Sequence, residues 1–281
     1  MSRNNADRFG ATPQDAPIPQ ETVNNTLQFV TPTEFVNLPS KGLGYEPSHP
    51  LHGQETVEIK YMTAKEEDIL SSKTLLKRGV ALERFMENII IDKRIKPNTL
   101  LSGDRNAIVI AARISGYGAN YETMVSCPAC GEKSTFNFDL NDQSMNESVL
   151  LEELKITSTG NGTFKTTMPH TDFEVEFKLL RGEDENYLSS MMADKRKRKI
   201  IESSLTDQYR RMIVGVQGYT DGTSINKYVT NMPTLDSRHL RLCYKAVCPD
   251  VRINNNFVCP SCDHEEEVDV PFGTDFFWPD R

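Results

Sequence analysis

Four of the six cysteines in this 281-residue chain occur as two Cys-Pro-x-Cys pairs, Cys127 with Cys130 and Cys259 with Cys262. Such a pair sets two sulfurs at the tip of one tight turn, pointing the same way. Two tips meeting at right angles make a tetrahedral cage of four thiolates, the usual geometry of structural Zn²⁺. Soft thiolates and closed four-coordination suit that ion and leave no open position for a substrate or a reactive water. The predicted metal ligands are therefore Cys127, Cys130, Cys259 and Cys262, around one structural zinc ion. The pairs are far apart in sequence, with Cys130 and Cys259 separated by 129 positions. The rival is a local site using Cys243 and Cys248, which precede the second pair. A free cysteine is more often a small buried hydrophobe, and Cys243 falls on the apolar side of a predicted helix.

The remaining reactive side chains suggest no catalyst. None of the five histidines, His49, His52, His170, His239 and His264, forms an H-E-x-x-H pair. His264 follows Cys262 closely enough to back the ligands or replace one, but the favoured reading is an ordinary surface histidine. The acidic runs Glu66-Glu67-Asp68 and Glu183-Asp184-Glu185 fall at predicted helix starts, where the helix dipole already accounts for them. The basic run Lys195-Arg196-Lys197-Arg198-Lys199 reads as the solvated face of a helix. No phosphate-binding loop, dinucleotide fingerprint or nucleophile elbow is present.

Positioning the sulfurs falls to elements that occur twice. Val57–Leu70 (VEIKYMTAKEEDIL) aligns with Val175–Leu188 (VEFKLLRGEDENYL), 118 positions later. Each reads as a strand followed by an acidic helix start, and Thr63 with Glu66 fits a capping box. Asp104–Leu140 aligns without a gap on Asp236–Phe272, 132 positions later. In this block Asp104 and Asp236 are expected helix N-caps. Ile108, Ile110 and Ile114 correspond to Leu240, Leu242 and Ala246, and Cys127 and Cys130 to Cys259 and Cys262. After the cysteines, Phe136, Phe138 and Leu140 correspond to Val268, Val270 and Phe272, an alternation that predicts a half-buried strand in each copy. Cys243 and Cys248 correspond to Ala111 and Gly116, so the rival ligands have no counterparts. The reading is a degenerate duplication; the alternative is chance likeness between two ordinary stretches. The change of spacing is absorbed by insertions expected at Asp194–Lys199 and Asp221–Ser224.

The predicted organisation is a flexible tail (1–28), an irregular N-terminal arm (29–55), a first half with its cysteine turn (56–140), a polar connecting segment (141–172) and a second half with its own turn (173–281). Thr159-Gly160-Asn161-Gly162 is a predicted turn between short strands of the connector. The aromatic end Asp275-Phe276-Phe277-Trp278-Pro279 is expected to anchor against the domain; exposed, it would be a docking peptide. The fold class is α+β: two pseudo-repeated halves sharing a zinc-ribbon-like Cys₄ site. A net charge of −8 argues against general nucleic-acid binding. No run approaches the roughly 20 apolar residues of a membrane span, and MSRNNADRFGATPQ lacks the apolar core of a signal peptide, so the expected setting is a cytoplasm.

Leu38-Pro39-Ser40-Lys41-Gly42-x-x-Tyr45, Met62–Leu70 (MTAKEEDIL), Arg105–Gly118 (RNAIVIAARISGYG) and Asp275–Pro279 together resemble the baseplate hub assembly proteins of T4-like tailed phages. The likeness covers roughly residues 29–281. It implies a non-enzymatic morphogenesis protein with no catalytic residues and with hub or tail proteins as partners. The implied location is the cytoplasm of an infected host during assembly, with the tail baseplate of the virion as a second one. Expected contact surfaces are the Leu38–Tyr45 loop, the acidic helix starts and the aromatic end. The alternative function is a zinc-ribbon nucleic-acid-binding regulator. The acidic stretch Asp263-His264-Glu265-Glu266-Glu267 beside the second turn counts against it. A metallohydrolase would need an open coordination position that four thiolates do not provide.

Overall fold

In the computed structural model, residues 30–146, 152–198, 204–270 and 274–277 are described. The expected tail (1–28), Lys199 and Trp278 lie outside them. Contacts divide the chain between Thr31 and Pro32, and every helix and strand of the described residues belongs to the unit from Pro32 onward.

Alternating residues make the first hairpin. β1 (Thr33–Asn37) pairs antiparallel with β2 (Thr56–Lys60), Val36 opposite Val57, both buried. Thr63 and Glu66 then form the expected capping box and start α1 (Ala64–Ser71). α2 (Lys73–Arg78) ends at Gly79, and α3 (Ala81–Ile89) buries Ala81, Phe85, Met86 and Ile89, one face of a helix. The long helix α4 (Ser102–Tyr117) follows, then the hairpin of β3 (Asn120–Ser126) and β4 (Lys133–Asp139), then β5 (Gln143–Asn146).

A second run of strands, helices and a closing hairpin follows, with two strands that the first run lacks, one before it and one between its helices. β6 (Thr157–Ser158), β7 (Thr163–Thr167), β8 (Glu174–Lys178) and β9 (Ile213–Val216) form one antiparallel sheet in that order. α5 (Gly182–Lys197) and α6 (Ser204–Met212) lie between β8 and β9 in sequence. α7 (Gly222–Asn231) and α8 (Thr234–Val247) lead to the hairpin of β10 (Asp250–Val258) and β11 (Glu265–Asp269). β10 is the strand that ties the chain together: Asp250–Ile253 pairs with β5, and Asn254–Val258 pairs with β11.

Several contacts repeat at the aligned positions. Lys60 meets Glu66 at 2.8 Å, and Lys178 meets Asp184 at 3.0 Å. The Thr63 backbone N–H donates to Glu66 (3.0 Å), and that of Arg181 donates to Asp184 (3.1 Å). Both carboxylates are fully buried. Each closes the first turn of its helix while holding the lysine of the strand before it.

Asp104 and Asp236 are not N-caps. The cap positions are Leu101 and Pro233, and the aspartates sit inside the first turn, fully buried. Asp104 accepts from the Ser40 backbone N–H (3.0 Å), the Ser40 hydroxyl (2.6 Å) and the Tyr45 hydroxyl (2.7 Å). Asp236 accepts from the backbone N–H groups of His170 (2.8 Å) and Thr171 (3.3 Å) and from the Thr171 hydroxyl (2.8 Å). A carboxylate that receives three donors from a remote loop is drawn inward, because a buried charge must be fully hydrogen-bonded.

The Leu38–Tyr45 loop is correspondingly not a free surface. Leu38, Pro39, Ser40 and Tyr45 are buried, and Leu43 is its exposed apolar residue. Of the acidic starts, Glu66 and Asp184 are spent on internal ion pairs, and Glu185 meets Arg105 (2.8 Å). At the aromatic end Phe276 and Phe277 are anchors: Phe277 packs edge-on against Phe85, Phe276 against Tyr121, and the buried Arg113 guanidinium donates to the Phe276 carbonyl (3.0 Å). One apolar core joins β1, β2, α3, α4, β7, β8, α8 and β10 with Phe276 and Phe277.

Candidate metal centre

Both cysteine pairs sit at hairpin tips, one between β3 and β4 and the other between β10 and β11. The tips are built alike. The Cys127 N–H donates to the Glu132 carbonyl (2.8 Å), and the Gly131 N–H to the Cys127 carbonyl (2.8 Å). The Cys259 N–H donates to the His264 carbonyl (2.9 Å), and the Asp263 N–H to the Cys259 carbonyl (3.0 Å). The residue after the second cysteine must turn left-handed, with φ of +76° at Gly131 and +55° at Asp263. Glycine does this freely and aspartate is among the residues that tolerate it.

The tips meet. The Cys127 Sγ lies 3.7 Å from the Cys262 Sγ, and the Cys130 Sγ lies 3.7 Å from the Cys259 Sγ. All four sulfurs fall within 4.8 Å of one another. A disulfide needs about 2.05 Å, so these are not bonded pairs. A tetrahedral ion with metal–sulfur bonds of about 2.3 Å has sulfur–sulfur edges of about 3.8 Å. Two of the six edges, at 3.7 Å, match that value, and all four sulfurs lie within 4.8 Å, so such an ion fits with little rearrangement. The two short contacts are reciprocal, the first cysteine of each turn against the second of the other.

Cys127 and Cys259 are buried, while Cys130 and Cys262 are exposed at the rim. The backbone N–H of Cys130 holds the Cys127 thiol down. Backbone hydrogen bonds also lower Cys130 and Cys262, but hydrogen bonding among the crowded sulfurs pushes both up, so the thiols titrate as one group. Behind the tips, Phe136 packs edge-on against Phe257 (5.6 Å between centroids), so apolar core holds the two hairpins together behind the sulfurs. Four cysteines in this arrangement can hold a metal ion.

Neither rival ligand joins the cluster. Cys243 is buried, its Sγ 3.6 Å from the Thr166 hydroxyl, and burial pushes its thiol up. Cys248 contacts the Pro249 carbonyl at 3.8 Å. His264 contributes its backbone carbonyl to the turn, and its ring faces Glu266 (3.5 Å). Sequence reading did not find Lys60, Lys178, Ser40 or Tyr45 as positioning residues. The matched lysines were a usable signal; Ser40 and Tyr45 reach Asp104 only through the tertiary fold.

These elements make an α+β chain with eight helices among the described residues, small antiparallel sheets and a four-cysteine cluster able to take a metal. Residues 33–278 match the family described as T4 bacteriophage base plate protein, and the chain belongs to that family. No curated protein and no solved structure matches it. Among the described residues no helix is long and apolar enough to cross a membrane.

Proposed function

We propose that this baseplate protein is a non-enzymatic assembly component of the baseplate hub, acting through protein–protein contacts, and that Cys127, Cys130, Cys259 and Cys262 hold one structural zinc ion. The family match over residues 33–278 carries the assembly reading. The all-thiolate donor set, with edges near those of a ZnS₄ tetrahedron, supports zinc. Bound there, the ion would supply no reaction. It would join the tips of two pseudo-repeated halves, 56–140 and 173–281, and stiffen the surface they present. The repeated buried contacts, Lys60–Glu66 with Lys178–Asp184 and the two carboxylates of α4 and α8, support the duplication. Assembly takes place in the host cytoplasm, and the partners are other baseplate or tail proteins. Deleting the gene from the phage and imaging the tails is the test. Hubless or unassembled baseplates, rescued by the wild-type chain supplied in trans, are expected. Normal baseplates made without the protein would defeat the reading.

A further inference from the structure

The two hairpins that open the halves differ at one edge. β1 and β7 occupy equivalent places: each precedes a loop (Leu38-Pro39-Ser40, buried, and Met168-Pro169-His170, of which Met168 is buried and Pro169 and His170 are exposed) that feeds the aspartate of α4 or α8, and each pairs antiparallel with the strand carrying the matched lysine. β7 is covered on its other side by β6, with Lys165 opposite Thr157 and the Thr159 N–H donating to the Thr163 carbonyl (3.0 Å). β1 has β2 alone among the described residues.

The outer groups of β1 follow from the ladder. Pro32 accepts from Tyr61 (2.9 Å) and Leu38 donates to Glu55 (2.8 Å). In an antiparallel pair alternate residues face the partner. Glu34 and Val36 therefore bond to β2, and the backbone groups of Thr33, Phe35 and Asn37 point outward. These three residues are exposed, Phe35 by 71%. This five-residue edge has an exposed aromatic and no lysine, bulge or internal proline, three of the usual guards against strand addition; Glu34 is the one charge it carries.

The chain's own preceding residues are poorly suited to fill this edge by the route β6 uses. The β6–β7 turn takes φ of +76° at Gly160 and +77° at Gly162. The equivalent positions are Val30 and Pro32. A β-branched residue rarely adopts positive φ and proline is locked near −65°.

Charge shows what would bind. Glu58 stands opposite Phe35, half-buried and in no ion pair among the described residues. Its counterpart Glu176 stands opposite Lys165 and receives the Thr163 hydroxyl (2.6 Å). On the other face of β1 the Glu34 Oε1 is buried with no hydrogen-bond partner among the described residues. The exposed face of β1 thus has the Glu58 carboxylate beside Phe35, the Glu34 carboxylate lies on the inner face with Val36, and β1 itself carries no cation.

We propose that the outer edge of β1 docks an extended, basic segment of another baseplate protein, which adds as a strand in the place that β6 takes beside β7. This rests on the reading of the chain as an assembly protein. A Lys or Arg of that segment lies across the Phe35 ring toward Glu58, where charge and cation–π attraction act together.

Phe35→Pro tests it. The Phe35 N–H points outward, so proline removes a donor to the incoming strand and leaves the bonds to β2 intact. The full-length chain is co-expressed with the baseplate proteins of its phage, and the complex is isolated. Phe35→Pro is expected to weaken that complex tenfold or more with an unchanged thermal midpoint. The amides of Thr33, Phe35 and Asn37 should gain hydrogen-exchange protection in the wild-type complex. A photocrosslinking phenylalanine at position 35 should link to a Lys/Arg-containing segment of the partner. Phe35→Pro binding as wild type, unprotected amides, or crosslinks to a second copy of this chain or to its own residues 1–28 would overturn the proposal. A wild-type chain that binds no baseplate protein would instead remove the assembly reading, and this proposal with it.

Discussion

Removing the metal should destabilise the protein by an amount that the site geometry bounds. The four sulfurs already stand close to tetrahedral spacing, so binding needs little rearrangement of the folded chain. Structural zinc in small peptides contributes on the order of 10–16 kcal/mol. The unfolded chain keeps part of this, because each Cys-Pro-x-Cys turn still offers two thiolates, and binding to the unfolded state subtracts from the stabilisation. Half of the lower figure, about 5 kcal/mol, is the working value. For a chain of this size 1 kcal/mol moves the midpoint by about 2–4 °C, so chelation should lower it by roughly 10–20 °C. Phe136 against Phe257 and the β5–β10 pairing remain, so the apo chain should stay folded at low temperature. The assay is zinc per chain by elemental analysis, with thermal unfolding before and after chelation, on the wild type and on Cys259→Ser. One zinc per chain and a shift of that size are expected, with Cys259→Ser resembling the chelated protein. A metal-free wild type, or Cys259→Ser with wild-type zinc and midpoint, would refute the four-thiolate site. Cys243→Ala is the control and should keep its zinc.

Asp184→Asn should cost about 3–5 kcal/mol, because the buried carboxylate is held by Lys178 and Arg211 and its loss leaves cations without their partner. Burial pushes Asp184 up, but the hydrogen bonds from Lys178 and the Arg181 backbone outweigh it and hold the carboxyl below its ordinary value of 3.8. A depressed folded value means that this stability is present above about pH 4 and is lost as pH falls through the folded pKa; urea unfolding from pH 6 to 2 should show a shallower acid loss in Asp184→Asn. Tyr45→Phe removes a donor to Asp104 and an acceptor for the Leu101 N–H (3.0 Å). A loss of about 2–3 kcal/mol in chemical denaturation is expected, with zinc content unchanged. Phe277→Ala empties a fully buried site against Phe85 and should cost about 3–5 kcal/mol by the same measurement.

Local chemistry made much of this molecule legible. Cys-Pro-x-Cys followed by an alternating strand specifies a hairpin tip with two converging sulfurs whatever surrounds it, and both hairpins form as expected. The capping box at Thr63 and Glu66 is likewise a property of four consecutive residues. The identical spacing of Lys60 and Glu66 and of Lys178 and Asp184 shows in the alignment as matched lysines, although its purpose does not. The Asp104 and Asp236 assignments failed for the opposite reason. An aspartate before an apolar helical run is a good N-cap by local rules, and only a loop 64 residues away, which brings Ser40 to Asp104, draws it inside.

Hairpin tips, helix starts, alternating strands and their order are thus local units, which short-range sterics and hydrogen bonding dictate with little help from the rest of the chain. Other features exist only in the folded whole. The two tips, 129 positions apart at Cys130 and Cys259, close to 3.7 Å. Ser40 and Tyr45 come to Asp104, and among the described residues β1 has one partner strand where β7 has two. Each depends on burying apolar surface between segments remote in sequence, and that energy is shared across the whole core rather than written at any one position.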